Sequence, residues 1–264
     1  MEIIELFNSF SHQALSIALA TIRIAVAFLL LPIFSSELIP PLIRNAIFVA
    51  LALIITILQP TLDPNTFTTL MWLKIIGKEI FLGIAIGIFF GLFLWAFEAA
   101  GQIIDAQIGM NAAQVMDPLS GQQTTLIGEF MGRFINYLFM VAGGLMYLVA
   151  LIMESYVLWP LGSLLPKLNK VGLSLFEFGF SEFFAIIFIL ASPLLLVFLL
   201  IDICMGLINR DAQQFNVSFL SMPIKMLAAV FILILSLISL SNLLADEIRT
   251  HFYDTISLIK KLIN

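Results

Sequence analysis

The sequence predicts an all-α protein of the membrane type, built from long hydrophobic helices. Three observations carry that expectation. The 264-residue chain is 61% hydrophobic and only 11% charged, well under the roughly 25% charge of a soluble domain. Its mean hydropathy of +1.11 leaves too little polar surface to face water, which makes a lipid-facing protein the default class. Its apolar residues collect in long runs without the alternation of half-buried strands.

The same composition narrows the function classes. A net charge of −5 offers no basic face to neutralise phosphates, so no nucleic-acid partner is expected. The single cysteine, Cys204, excludes an internal disulfide and a thiolate metal cluster. It is expected to pack as a small hydrophobe. His12 and His251 stand near opposite ends of the chain, so no metal site and no cofactor are expected. Glu2 and Glu5 precede the first lysine or arginine, Arg23. That is not the basic start of a cleavable signal peptide, and the first apolar segment is expected to be retained.

Six apolar runs read as helices, at about 14–34, 46–58, 80–97, 130–153, 183–201 and 226–245. A full crossing takes about 20 residues. The first run meets that length. The second covers only about 20 Å at 1.5 Å per residue, and extending it backward brings in Arg44 and Pro40-Pro41. It reads as half of a hairpin. The third run carries Gly83, Gly87 and Gly91, two overlapping G-x-x-x-G patterns that give a flat face for a close helix neighbour. That neighbour belongs either to the same chain or to another subunit. Gly143 and Gly144 loosen the fourth run, and Pro193 is expected to kink the fifth. Residues 246–264 place Ile248, Phe252, Ile256, Ile259 and Ile263 opposite Asp246, Arg249, Asp254 and Lys260. They read as an amphipathic tail helix on membrane or partner. Residues 1–245 read as one helical membrane domain. Arg44, Lys74, Lys78, Lys167, Lys170, Arg210 and Lys225 are read as lying in successive connections. This is a weak sidedness bias that leaves orientation poorly specified.

Arg23, Arg133 and Asp202 lie in or beside apolar runs, where an unpaired charge is costly and should face protein or water. Glu129 and Arg133 have the spacing of a helical ion pair. Arg23 can pair with Asp202 or with Glu79; the sequence does not choose. These four positions, Arg23, Glu129, Arg133 and Asp202, are the candidate buried charge pairs. Structural pairing fits them better than an ion pathway, which would use more intramembrane carboxylates. No nucleophile elbow, H-E-x-x-H or P-loop occurs, and Asp105 and Asp117, twelve apart in what reads as a glycine- and glutamine-rich connection, are weak grounds for catalysis. No enzymatic activity is expected.

Two polar islands interrupt the apolar pattern. Residues 99–125 hold Gln102, Gln107, Asn111, Gln114, Gln122 and Gln123, with Gly109, Asp117-Pro118 and Ser120-Gly121 as helix breakers. Irregular backbone at membrane depth survives only when buried in protein or lining water. A neutral polar lining suits a conduit for varied polypeptides, with Met110 and Met116 as adaptable contacts. A plain extramembrane loop is the alternative. The second island, 209–225, reads NRDAQQFNVSFLSMPIK.

With both islands in view, nearly the whole chain resembles the T component of the virulence type III secretion export apparatus. This is the SctT family (YscT, SpaR, HrcT), homologous to the flagellar biosynthetic protein FliR. The pattern N-R-x-A-P-Q-x-N-V-x-x-L-x-x-P-I-K is matched at Asn209, Arg210, Ala212, Gln214, Asn216, Val217, Leu220, Pro223, Ile224 and Lys225. Gln213 stands where the family has proline, and Asp211 where it usually has an apolar residue. The ending Met-Pro-Ile-Lys is closer to the virulence branch. Gly101, Gly109, Met110, Asp117 and Pro118 fit a second family pattern, and Pro32, Pro40 and Arg44 a third and weaker one.

The resemblance implies bent hairpins stacked with copies of the R and S components (SctR, SctS) in a helical, cone-like export gate around a pore. The gate would sit in the bacterial inner membrane at the core of the secretion basal body. The U component (SctU), inner rod and needle proteins, membrane lipid and unfolded polypeptides in transit would be its further contacts. The driving force would come from an ATPase and the proton-motive force elsewhere in the machine. The resemblance also implies a plug at the first island. Its pore-lining residues would be Gln107, Gly109, Met110, Asn111, Gln114, Met116, Asp117, Pro118, Gln122 and Gln123. Asn209, Arg210, Gln214, Asn216, Pro223 and Lys225 would make subunit contacts, with the face of Gly83, Gly87 and Gly91 as a further one. A flagellar export subunit is the alternative reading, and a stand-alone transporter or channel with Asp202 and Arg23 at its midplane a more distant one.

Overall fold

A computed structural model describes residues 2–35, 38–59, 67–109, 125–163, 171–211 and 220–237. The helices are α1 Glu2–Leu29, α2 Pro41–Leu58, α3 Thr69–Ile108, α4 Leu126–Val141, α5 Gly144–Leu158 and α6 Val171–Asp211. The last helix among the described residues, α7, runs Leu220–Leu237. Among the described residues there is no strand. The tail at 246–264 lies outside them, as do Lys167 and Lys170.

Local chemistry explains the breaks. Pro32 opens a single 3-10 turn, Pro32–Phe34, after α1. Pro41 starts α2, where its missing N–H costs nothing and its fixed φ fits the helix. α2 stops at Gln59, which is extended (φ −105°, ψ 147°), the conformation that a following proline imposes. Gly109 ends α3 with φ +92°. The fourth apolar run is two helices, broken at Gly143, whose φ of +80° only glycine adopts without strain. α6 runs unbroken through Pro193. The Ser192 hydroxyl donates to the Ile189 carbonyl at 3.4 Å, the oxygen that the proline leaves without its helical donor.

Among the described residues, four helices are long and apolar enough to cross a membrane: Ser11–Leu29, Thr69–Ile108, Gly179–Arg210 and Leu220–Leu237. α4 and α5 together make a broken fifth candidate. α3 has 40 residues and α6 has 41. At 1.5 Å each, either contour is about 60 Å, twice a bilayer's hydrocarbon thickness of about 30 Å. Part of each must lie beyond the hydrocarbon. α2 is a shorter apolar helix, in keeping with its reading as half a hairpin.

The described chain forms two compact units. The first holds the residues up to Leu92 and Gly143–Glu177; the second holds Phe93–Ala142 and the residues from Phe178 onward. In the first unit, α1 and α2 form a hairpin closed by an aromatic cluster. Phe28 meets Phe34 edge-on at 4.6 Å between centroids, and Phe48 lies 5.6 Å from Phe28. Arg44, placed by the sequence reading in a connection, is in the first turns of α2 and donates to the Phe34 carbonyl at 3.0 Å. In the second unit, Ala96 and Ala100 of α3 pack on Ile187 of α6.

Three further sequence expectations are corrected. Lys74 and Lys78 lie inside α3, not in a connection. Asp105 is also helical and fully buried, because its partners come from another helix. Cys204 is exposed on α6, so it is not packed inside this chain.

Candidate functional site

The first unit contains a closed ionic node. α3 presents Glu79, Gly83 and Gly87 at one-turn spacing towards α1. A Cβ on Gly83 would lie 2.8 Å from the Arg23 carbonyl oxygen, and one on Gly87 2.8 Å from that of Ala27. Only glycine permits such an approach of backbones. The approach carries the Arg23 side chain onto Glu79, with Nε to Oε2 at 2.7 Å and Nη2 to Oε1 at 3.0 Å. Arg23 also donates to Ser155 Oγ and to the Trp159 carbonyl, and its guanidinium lies 3.8 Å from the centre of the Tyr156 ring. The Tyr156 hydroxyl donates to the Ala20 carbonyl at 2.7 Å. Lys78 pairs with Glu79 at 2.9 Å and donates to the carbonyls of Pro160, Leu161 and Ser163 at 2.8–3.0 Å. Each buried charge is thus matched by charges or dipoles, the condition under which burial is tolerable. The glycine face at 83 and 87 packs within the chain, which corrects its assignment to subunit contact. Gly91 is buried as well.

The second unit frames the first polar island. α3 and α4 cross where Gly101 meets Gly128; a Cβ on Gly101 would lie 2.6 Å from the Gly128 Cα. One turn further along α3, Asp105 Oδ2 accepts from the backbone N–H groups of Ile127 and Gly128 at 2.8 and 2.9 Å. Those are orphan donors of the first turn of α4. Thr125 occupies the N-cap position but makes no side-chain cap. Asp105 replaces it from the neighbouring helix, and its negative charge suits the positive helix end. At the other end of the island, Lys225 Nζ donates to the Gln107 carbonyl at 3.2 Å and pairs with Asp202 at 2.7 Å. Gly109, with its positive φ, faces Met222: a Cβ there would meet Met222 Cε at 3.1 Å. α3, α4, α6 and α7 therefore hold the two ends of the 110–124 connection.

The predicted site residues distribute as follows. Gln107 and Gly109 belong to this frame. Met110, Asn111, Gln114, Met116, Asp117, Pro118, Gln122 and Gln123 lie outside the described residues, as do Gln214 and Asn216. Asn209 and Arg210 are exposed in the last turn of α6. Pro223 and Lys225 are in α7. Lys225 makes the contacts above within its own chain. Arg23 pairs with Glu79 and not with Asp202; Asp202 pairs with Lys225. Glu129 and Arg133 do pair, but their side chains are 40% and 73% exposed, so this is not a buried pair within the chain. The sequence reading missed Lys78 and Asp105 as structural centres. Among the described residues no cluster of metal-ligating side chains occurs.

The class that follows is a helical, membrane-type protein whose polar chemistry is spent on holding helices and one long connection in place. Comparison with known sequences sharpens it. Residues 14–251 match the family described as bacterial export proteins, family 1, and the chain belongs to that family. It is similar to the Yop proteins translocation protein T of Yersinia pestis, 34% identical over 81% of this chain and 82% of the relative. The surface presentation of antigens protein SpaR of Shigella flexneri is 31% identical over 80% of each chain. The flagellar biosynthetic protein FliR of Bacillus subtilis is 26% identical over 99% of this chain and 96% of the relative.

Proposed function

We propose that this chain is a core, non-enzymatic subunit of a type III secretion export gate in the bacterial inner membrane. It forms part of the pore through which unfolded proteins pass, in company with the R and S components (SctR, SctS) and the U component (SctU). The observation that carries the reading is the family match across residues 14–251. The second unit supports the finer assignment: four helices converge on the ends of one polar connection with a single charged residue, Asp117, and a loop without a role would need no such frame. In this reading residues 110–124 plug the resting pore. Deleting residues 111–117 should make inner-membrane vesicles carrying the assembled gate leak small solutes. Unchanged leakage in correctly assembled gates would refute the plug.

The virulence branch is the better reading within the family. Identity is 34% to the Yop translocation protein T but 26% to FliR. Purification through a C-terminal tag in mild detergent should bring down the small membrane components of one export system. A solitary, stable chain would favour a transporter.

A further inference from the structure

The two ends of the 110–124 connection are secured by different means. Asp105 joins α3 to α4 directly, so it closes the base of the connection on itself. Its carboxylate is fully buried. Lys225 acts from outside that base. It reaches the Gln107 carbonyl, in the last turn of α3, where carbonyls lack helical donors. A cation there also answers the negative end of the helix. The same ammonium is shared with Asp202 of α6 at 2.7 Å. Met222, one turn earlier on α7, abuts Gly109. α7 thus touches the exit of α3 at two successive turns, through one polar and one apolar contact.

This geometry makes Lys225 a polar tie from the α6–α7 pair to the base. Asp202 is 41% exposed while Lys225 is 8% exposed, so the ion pair is reached mainly through its Asp202 member on α6. α6 and α7 are themselves largely uncovered, with 22% and 17% of their apolar windows buried. A change in what covers them has a direct route to the base.

We propose that Lys225 is a positioning residue through which the α6–α7 pair sets the base of the 110–124 connection. The inference rests on the reading of that connection as the seal. The polar island at 209–225 gains a role from it: it ends on the residue that holds the other island in place.

The test uses inner-membrane vesicles carrying the whole export apparatus, loaded with a small anionic dye. Lys225→Met keeps the apolar stem and removes the charge. Losing one charge-assisted hydrogen bond should raise dye efflux about tenfold, with the chain incorporated at the normal level. Combined with deletion of 111–117, Lys225→Met should add nothing, because the part it positions is gone. A merely structural lysine would add its effect to the deletion. A leaky deletion beside an incorporated, tight Lys225→Met overturns this inference alone. A tight deletion overturns the sealing reading and the inference with it. If Lys225→Met fails to incorporate, Asp202→Asn decides: efflux above the wild type supports the tie, and wild-type efflux overturns it.

Discussion

In the first unit Arg23, Lys78 and Glu79 are all at or below 1% exposure. In the second, Lys225 is paired with an Asp202 that is 41% exposed. Both assemblies use a lysine on helix or turn carbonyls and a carboxylate beside it. They differ in whether water or a partner can reach the pair. Glu79 sits between two cations and is contacted by both, and the surrounding aromatic and carbonyl groups leave no open side. Such a node is a fixed joint, because removing one member strands the others in low dielectric. The frame in the second unit has one fixed member, Asp105, and one that opens to the surface.

The comparison can be broken by mutation, and the largest effect should fall on the first unit. Glu79→Ala leaves Arg23 and Lys78 buried and unmatched, and should cost about 3–5 kcal/mol. Thermal unfolding of the detergent-purified chain would show it, and a loss no larger than that at Asp105 would erase the distinction between the units. Asp105→Ala removes the borrowed cap of α4 and should cost about 1–2 kcal/mol. Asp105→Asn retains an accepting oxygen and should cost less in the same unfolding measurement; equal losses would show that charge, and not the accepting oxygen, matters there. The smallest effect should come from Arg133→Ala. Its pair with Glu129 is exposed, and such pairs contribute about 0–1 kcal/mol. If Arg133→Ala leaves stability intact but weakens co-purification with other export components, that face is an interface in the assembly.

Much of the fold was legible because helices announce themselves locally. Apolar runs, Pro41 at a helix start, Gly109 and Gly143 at breaks are all short-range signals. The glycine face at 83 and 87 was legible as a place of close approach, and Glu79 as one of two partners for Arg23. Which helix came close was not legible, since spacing within a helix fixes a face and says nothing of its neighbour. Lys78 was misplaced for the same reason. Its charge suggested a connection, and the carbonyls that neutralise it lie more than eighty residues away in sequence. Asp105 was read as a loop carboxylate because the N–H groups that it caps follow it by 22 and 23 residues. The residues proposed as the plug beyond Gly109 rest on family resemblance, with only the two ends of their connection described.

The chain's sole thiol, Cys204, sits on the outward side of α6. No other cysteine needs to be engineered away before it can be labelled. An environment-sensitive fluorophore attached there would read what neighbours α6, acyl chains in the free polypeptide or protein once sister chains have gathered, and so would time the building of the machine from a native position.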